Sequence, residues 1–141
     1  SRLISNVRED KGYTYHIGAD MTHYPFSSFL MIHTECDNEY VRPLIEQVHF
    51  EMDRLHSELV DEKELTKLKN YMLGESCRSY ESAFSIADAW MFAFTSGLDD
   101  DHFSKSFESI QSITAAEIQD LARKHLRKES LKEVVAGEKL L

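Results

Sequence analysis

An arginine and two tyrosines near the start of the chain could act together on a carbonyl or carboxylate oxygen. Arg8 ends a stretch with apolar residues at helical spacing, and Tyr13 and Tyr15 follow just beyond Gly12. A guanidinium and a phenol both donate hydrogen bonds to oxygen atoms, and rigid flanking elements would hold them close together. Arg8 with either tyrosine is therefore a candidate binding site. The structural alternative is a cation at a helix end beside ordinary strand tyrosines.

A short helix and a strand would position this pair. Leu3, Ile4 and Val7 recur at helical spacing, and a glycine such as Gly12 is typical just past a helix end. From that glycine onwards the apolar period changes to two, which indicates a strand. Its shared face would carry Tyr13, Tyr15, Ile17, Ala19 and Met21.

The rest of the chain predicts a second strand, several helices and a final strand. Ser28–Cys36 alternates in polarity and should pair with the first strand as an antiparallel hairpin. Residues 41–59 mark one long helical face, and residues 83–94 are apolar nearly all round, which predicts the most buried helix. The pattern loosens over Gly74–Ser82, which suggests a kink or a short break, and Leu131–Gly137 reads as the last strand. Helices are predicted to begin at Asp61 with Glu64, at Asp100 or Asp101, and at Thr114 with Glu117. Gly97 is predicted to end the apolar helix.

This order predicts an α+β fold, a mainly antiparallel sheet with helices layered on one face. The 141 residues give one domain or less, and the helical pattern already running at Ser1 predicts a single partial domain over 1–141. A net charge of −9 argues against binding nucleic acid, whose phosphates require a basic face. No apolar run is long enough to span a membrane.

Other candidate sites are weaker. His49, Asp53 and His56 recur at i, i+4 and i+7 on one helical face and could hold a metal, but they border an apolar stripe where polar groups usually face solvent. We therefore predict no metal in this chain. His16, His23 and His33 belong to the predicted hairpin, and their spacing demands no site. The motifs of a serine nucleophile and of a glycine-rich phosphate loop are both absent from the sequence.

The stretch SRL…VREDKGYTY resembles the C-terminal, non-metal half of the insulinase/pitrilysin family of zinc metallopeptidases. Stretches at 61–70, 97–126 and 134–137 resemble later parts of that half in the same order. The resemblance implies that Arg8 and Tyr15, seven positions apart, reach the active site of a partner half, with Tyr13 as the reserve candidate. The family's zinc motif, H-x-x-E-H, is absent here, so the resemblance places zinc in an N-terminal half outside this chain.

The resemblance implies the substrate-binding, transition-state-assisting C-terminal domain of a zinc-dependent metalloendopeptidase, inactive on its own. Its expected partners are the N-terminal zinc-binding domain and a peptide substrate. The alternative is a non-catalytic structural or assembly subunit of the same fold, and a third possibility is an unrelated α+β interaction domain.

A further expectation concerns self-association. A partial domain should leave open an edge or a face of the sheet built from Tyr13–Met21, Ser28–Cys36 and Leu131–Gly137. Such a surface predicts a homodimer, most simply with two-fold symmetry.

Overall fold

A computed structural model of the chain describes residues 1–24 and 26–138. A π-helix, Ile4–Asp10, is followed by strands β1 (Ile17–Tyr24) and β2 (Ser27–Thr34). Five α-helices come next: α1 (Val41–Ser57), α2 (Glu62–Arg78), α3 (Ala83–Thr95), α4 (His102–Ser112) and α5 (Ala115–His125). Short 3-10 turns lie at Asn38–Tyr40 and Lys128–Ser130. In the described ranges no helix is both long and apolar enough to cross a membrane.

The predicted order of one helix, two strands and a run of helices is confirmed, but the predicted dominance of the sheet is wrong. Over 1–24 and 26–138 the sheet contains only β1 and β2. Leu131–Gly137 forms no strand there, and Val134 and Val135 are 91% and 60% exposed. An apolar run such as 134–136 forms a strand only where a neighbouring strand supplies hydrogen-bonding groups. The fold is therefore a helix-rich α+β structure with a small antiparallel hairpin.

The first strand also begins later than predicted. The Thr14 hydroxyl accepts a hydrogen bond from the His16 backbone N–H at 3.2 Å, and its Oγ1 lies 2.6 Å from the Glu35 carbonyl oxygen. These side-chain contacts take the place of ladder bonds before Ile17, where β1 starts. Tyr13 and Tyr15 thus lie in the connection between the π-helix and β1, outside the strand.

Several predicted helix ends are confirmed. Gly12 and Gly97 adopt positive φ values of 65° and 68° beyond the π-helix and α3. The Asp61 carboxylate accepts hydrogen bonds from the backbone N–H groups of Lys63 and Glu64 at the start of α2. At the start of α5 the Thr114 backbone N–H donates to the Glu117 carboxylate, whose own backbone N–H donates to the Thr114 hydroxyl.

The short break predicted within Gly74–Ser82 is confirmed, because helix α2 continues through Gly74 but ends at Arg78, and α3 begins at Ala83. One detail differs from the prediction. Asp101 lies at the N-cap position of α4 but makes no capping hydrogen bond through its side chain.

The chain divides into two compact units. Among the described residues, the first comprises 1–23, 27–58 and 119–138, which include the π-helix, most of the hairpin and α1. Val7, Ile17 and Leu44 form its buried core, with Val7 0% and Ile17 2% exposed. The partly buried side chains around them are Leu3, Ile4, Tyr13, Ile32, Cys36 and Val48. The candidate pair therefore belongs to a unit with its own apolar core.

The second unit contains residues 24, 26 and 59–118 of the described chain, with α2, α3 and α4. Helix α2 packs against α4, and Leu65 of α2 is 3% exposed. The expectation that α3 is the most buried helix is wrong, because its one buried residue is Ala93, whereas Phe84 and Phe94 are 86% and 85% exposed.

Candidate functional site

The connection that carries Arg8 and Tyr15 is closed by backbone hydrogen bonds. The Lys11 N–H donates to the Asn6 carbonyl at 3.1 Å, and the Tyr13 N–H donates to the Val7 carbonyl at 3.0 Å. The first bond spans five residues, the pattern of a π-helix, which is rare and is frequently found at functional sites. The positive φ of Gly12 then lets the chain leave the helix without strain on a side chain.

Arg8 and Tyr15 project from this closed connection into solvent. Arg8 is exposed and directly follows the fully buried Val7, while Tyr15 is 95% exposed and lies two residues before the buried Ile17. Within 1–24 and 26–138, neither side chain has a hydrogen bond or an ion pair. Two buried anchors thus fix the backbone, while a guanidinium and a phenol stay available to an external acceptor.

Tyr13, the reserve candidate, has a different environment. Its ring stacks on Tyr40 with a centroid distance of 5.1 Å and an angle of 16°, and it packs against the core. A hydrogen bond with the Glu39 side chain and the nearby charge of that carboxylate raise the pKa of the Tyr40 phenol. Because the Tyr13 ring is already engaged, Tyr15 is the better placed of the two for an external ligand.

Glu51 supports the site, and sequence reasoning missed it. This carboxylate on α1 is 4% exposed, and the Asn6 side-chain amide donates to its Oε1 at 2.6 Å. Arg54 Nη1 lies 3.3 Å from Glu51 Oε2, and Arg54 Nε lies 3.3 Å from Glu58 Oε2. Through Asn6, two residues before Arg8 in the chain, Glu51 therefore joins the π-helix to α1. The only feature of the sequence that pointed to Glu51 was its position next to Met52, which belongs to the apolar face predicted for the helix over residues 41–59.

A family model described as the peptidase M16 inactive domain matches residues 1–72, which include the whole Arg8–Tyr15 connection. The chain belongs to this family. The resemblance to the C-terminal, inactive half of insulinase-type peptidases is thereby confirmed.

One solved structure supports the same fold for this M16 domain over nearly all of its length. It is a peptidase M16 inactive domain from Pseudomonas fluorescens, 22% identical, with a TM-score of 0.80 over 90% of this chain. The chain spans 30% of that protein's length. No curated protein matches the chain.

The helical face considered for metal binding in this M16 domain contacts the C-terminal segment. His49 Nε2 lies 3.1 Å from Glu133 Oε1, Lys128 Nζ lies 2.5 Å from Asp53 Oδ2, and His56 Nε2 lies 3.1 Å from the Ala122 carbonyl oxygen. The three side chains thus serve separate contacts with residues 122–133. In the described ranges, no group of three or more His, Cys, Asp or Glu residues could hold a metal ion.

Two histidines of the M16 hairpin lie near each other on its surface. His33 Nε2 is 2.7 Å from Asp20 Oδ2, and the His16 and His33 rings are 6.0 Å apart. Gly18 makes room for the His33 ring, since a Cβ there would lie 2.7 Å from Nε2. His23 instead pairs with Ser28 at 3.0 Å. These contacts fix the hairpin surface and leave Arg8 and Tyr15 as the main functional candidates.

Proposed function

We propose that this chain is the substrate-binding, transition-state-assisting C-terminal domain of a zinc-dependent metalloendopeptidase that hydrolyses peptide bonds. In this proposal Arg8 and Tyr15 donate hydrogen bonds to the carbonyl oxygen of the scissile peptide bond. Negative charge builds on that oxygen as the bond is attacked, so donors placed there stabilise the transition state more than the ground state.

The observation that carries the proposal is the contrast between anchored backbone and free side chains. Val7 and Ile17 are buried on either side, while the Arg8 and Tyr15 side chains are exposed and make no polar contact within the described ranges. The anchored backbone limits where the two donors can reach, and no internal hydrogen bond of theirs has to break when a ligand arrives.

The expected partners are an N-terminal zinc-binding domain and a peptide substrate. The described part of this chain offers no set of ligands that fits zinc, and its sequence lacks H-x-x-E-H, so zinc and its ligands belong to the other half of the proposed enzyme. The isolated chain should therefore bind no stoichiometric zinc after dialysis and should not hydrolyse a fluorogenic peptide. Stoichiometric zinc together with chelator-sensitive turnover by this chain alone would contradict the proposal.

The role of the pair is tested in the protein that joins this chain to its N-terminal half. Arg8→Ala and Tyr15→Phe should each lower turnover by roughly 10²–10³-fold, the usual loss for one donor to a developing oxyanion. Tyr13→Phe is the matched control, because it also removes one phenol but keeps the stacked ring, and it should retain nearly full turnover. Unchanged turnover in both site variants, with unchanged thermal unfolding, would refute the role.

The second candidate is a non-catalytic structural or assembly subunit of the same fold. The described ranges leave large apolar side chains of α3 exposed, which is what an assembly surface would require. This candidate predicts that the joined protein binds no catalytic zinc and that Arg8→Ala changes neither activity nor assembly. A homodimer, also predicted from the sequence, remains a proposal, and the surface that would form it is considered next.

A further inference from the structure

Helix α3 presents one side made of large apolar residues. Phe84 and Phe94 are 86% and 85% exposed, Met91 is 61% exposed, and Ala87 is exposed between them. The four residues are spaced by three, four and three positions, so they form a single stripe along the helix, as in the a and d positions of a coiled coil. We call this the α3 stripe.

The opposite side of α3 faces its own unit with small residues. Ser85 and Ala89 are half-buried and Ala93 is 1% exposed, at i, i+4 and i+8. Trp90, on the flank, contacts Phe103 of α4 with a centroid distance of 5.1 Å. Since the helix packs inward through its small residues, its hydrophobic area is directed outward. This reversal of the usual amphipathic arrangement is typical of an interface.

We propose that the α3 stripe pairs with the same stripe of a second copy of this chain, in an antiparallel, two-fold dimer. The four positions of the stripe are symmetric about position 89 along the helix. A two-fold axis that crosses the stripe level with that position places Phe84 opposite Phe94 of the second copy. The same axis places Ala87 opposite Met91, a small residue against a large one. A two-fold interface requires a surface that complements itself in this way.

The exposed area suits a weak, reversible dimer. With about 200 Å² for each large side chain, Phe84, Met91 and Phe94 expose roughly 450 Å² in each copy. Two copies would bury roughly 900 Å² from these residues, and Trp90, 46% exposed on the flank, brings the total towards the ~1,200 Å² of the smallest stable interfaces. Asp88 is the single charged residue of α3. The two-fold axis places the Asp88 carboxylates of the two chains on the same side of the interface, where they repel each other.

The test is sedimentation equilibrium of the whole chain from micromolar to submillimolar concentration. The wild type should approach twice the 16.4 kDa of one chain as concentration rises. Phe94→Glu should raise the dissociation constant at least about ten-fold, because each dimer would bury two charges. The matched control is Phe92→Glu, the same change on the same helix at a residue that is 48% exposed but off the stripe, and it should leave the dissociation constant nearly unchanged.

Two further variants keep the proposal falsifiable. Asp88→Asn should tighten the dimer, since it removes the like charges beside the axis. Met31→Glu changes an exposed residue of β2, on the hairpin where the sequence predicted the contact. The proposal is overturned if the wild type stays at 16.4 kDa throughout. It is also overturned if Met31→Glu dissociates the dimer while Phe94→Glu does not. Circular dichroism of each variant checks that the fold is retained.

Discussion

Replacing Glu51 should loosen the connection between the π-helix and α1. Glu51 is 4% exposed and accepts a hydrogen bond from the Asn6 amide at 2.6 Å, so Glu51→Ala leaves that amide without its acceptor. A hydrogen bond to a charged group contributes about 1.5–3 kcal/mol to stability. Glu51→Ala also removes one partner of Arg54. It does not leave the Arg54 charge buried and unpaired, because that side chain is 36% exposed and keeps Glu58 as a partner.

We therefore expect Glu51→Ala to lower the free energy of unfolding by about 2–3 kcal/mol. Glu51→Gln should cost about 1 kcal/mol, because it keeps an oxygen acceptor and the side-chain volume but loses the charge. Glu58→Ala is the matched control. It removes the other partner of Arg54 at an exposed position, and it should change the free energy by less than about 0.5 kcal/mol.

The assay is urea denaturation near pH 7 at one fixed chain concentration, so that any self-association contributes equally to every variant. A double-mutant cycle of Asn6→Ala and Glu51→Ala isolates the bond between them, with an expected coupling of about 1–2 kcal/mol. A coupling below about 0.3 kcal/mol would refute the view that this bond holds the π-helix in place. In the joined protein, Glu51→Ala should also lower turnover, since Arg8 lies on that helix.

The remaining predictions compare matched positions by urea denaturation. Asp61→Ala should lower the free energy of unfolding by about 1 kcal/mol, because it removes a helix cap, whereas Asp101→Ala should change it little, because its side chain caps nothing. Equal losses at the two positions would contradict this assignment. Gly12→Ala should destabilise by about 1–2 kcal/mol, since φ is 65° there. Gly74→Ala, in the α2 interior with open space around the added Cβ, should stabilise by about 0.5–1 kcal/mol, and a gain at Gly12 would contradict the reasoning.

The sequence by itself determined the features that depend on residues close together in the chain. The helix ends at Gly12 and Gly97 and the caps at Asp61 and Thr114 were all predictable. Each results from a backbone preference or from a hydrogen bond spanning two or three residues. The candidate pair Arg8 and Tyr15 was also identified before the fold, because its motif lies in one short stretch.

Only the tertiary structure decided which groups are buried and which stay free. The apolar run at 134–136 suggested a strand at Leu131–Gly137, but a strand needs a neighbour that a local run cannot reveal. The apolar helix α3 was expected in the core, yet its small residues face inward and its large ones face solvent.

The same distinction holds at the candidate site. Tyr13 and Tyr15 fall on the same face of the alternating pattern, and the tertiary structure alone shows that Tyr13 stacks on Tyr40 while Tyr15 is exposed. The burial of Glu51 likewise depends on Asn6, 45 positions away. Burial is set by contacts between residues distant in sequence, and periodicity within one helix or strand carries no information about those contacts.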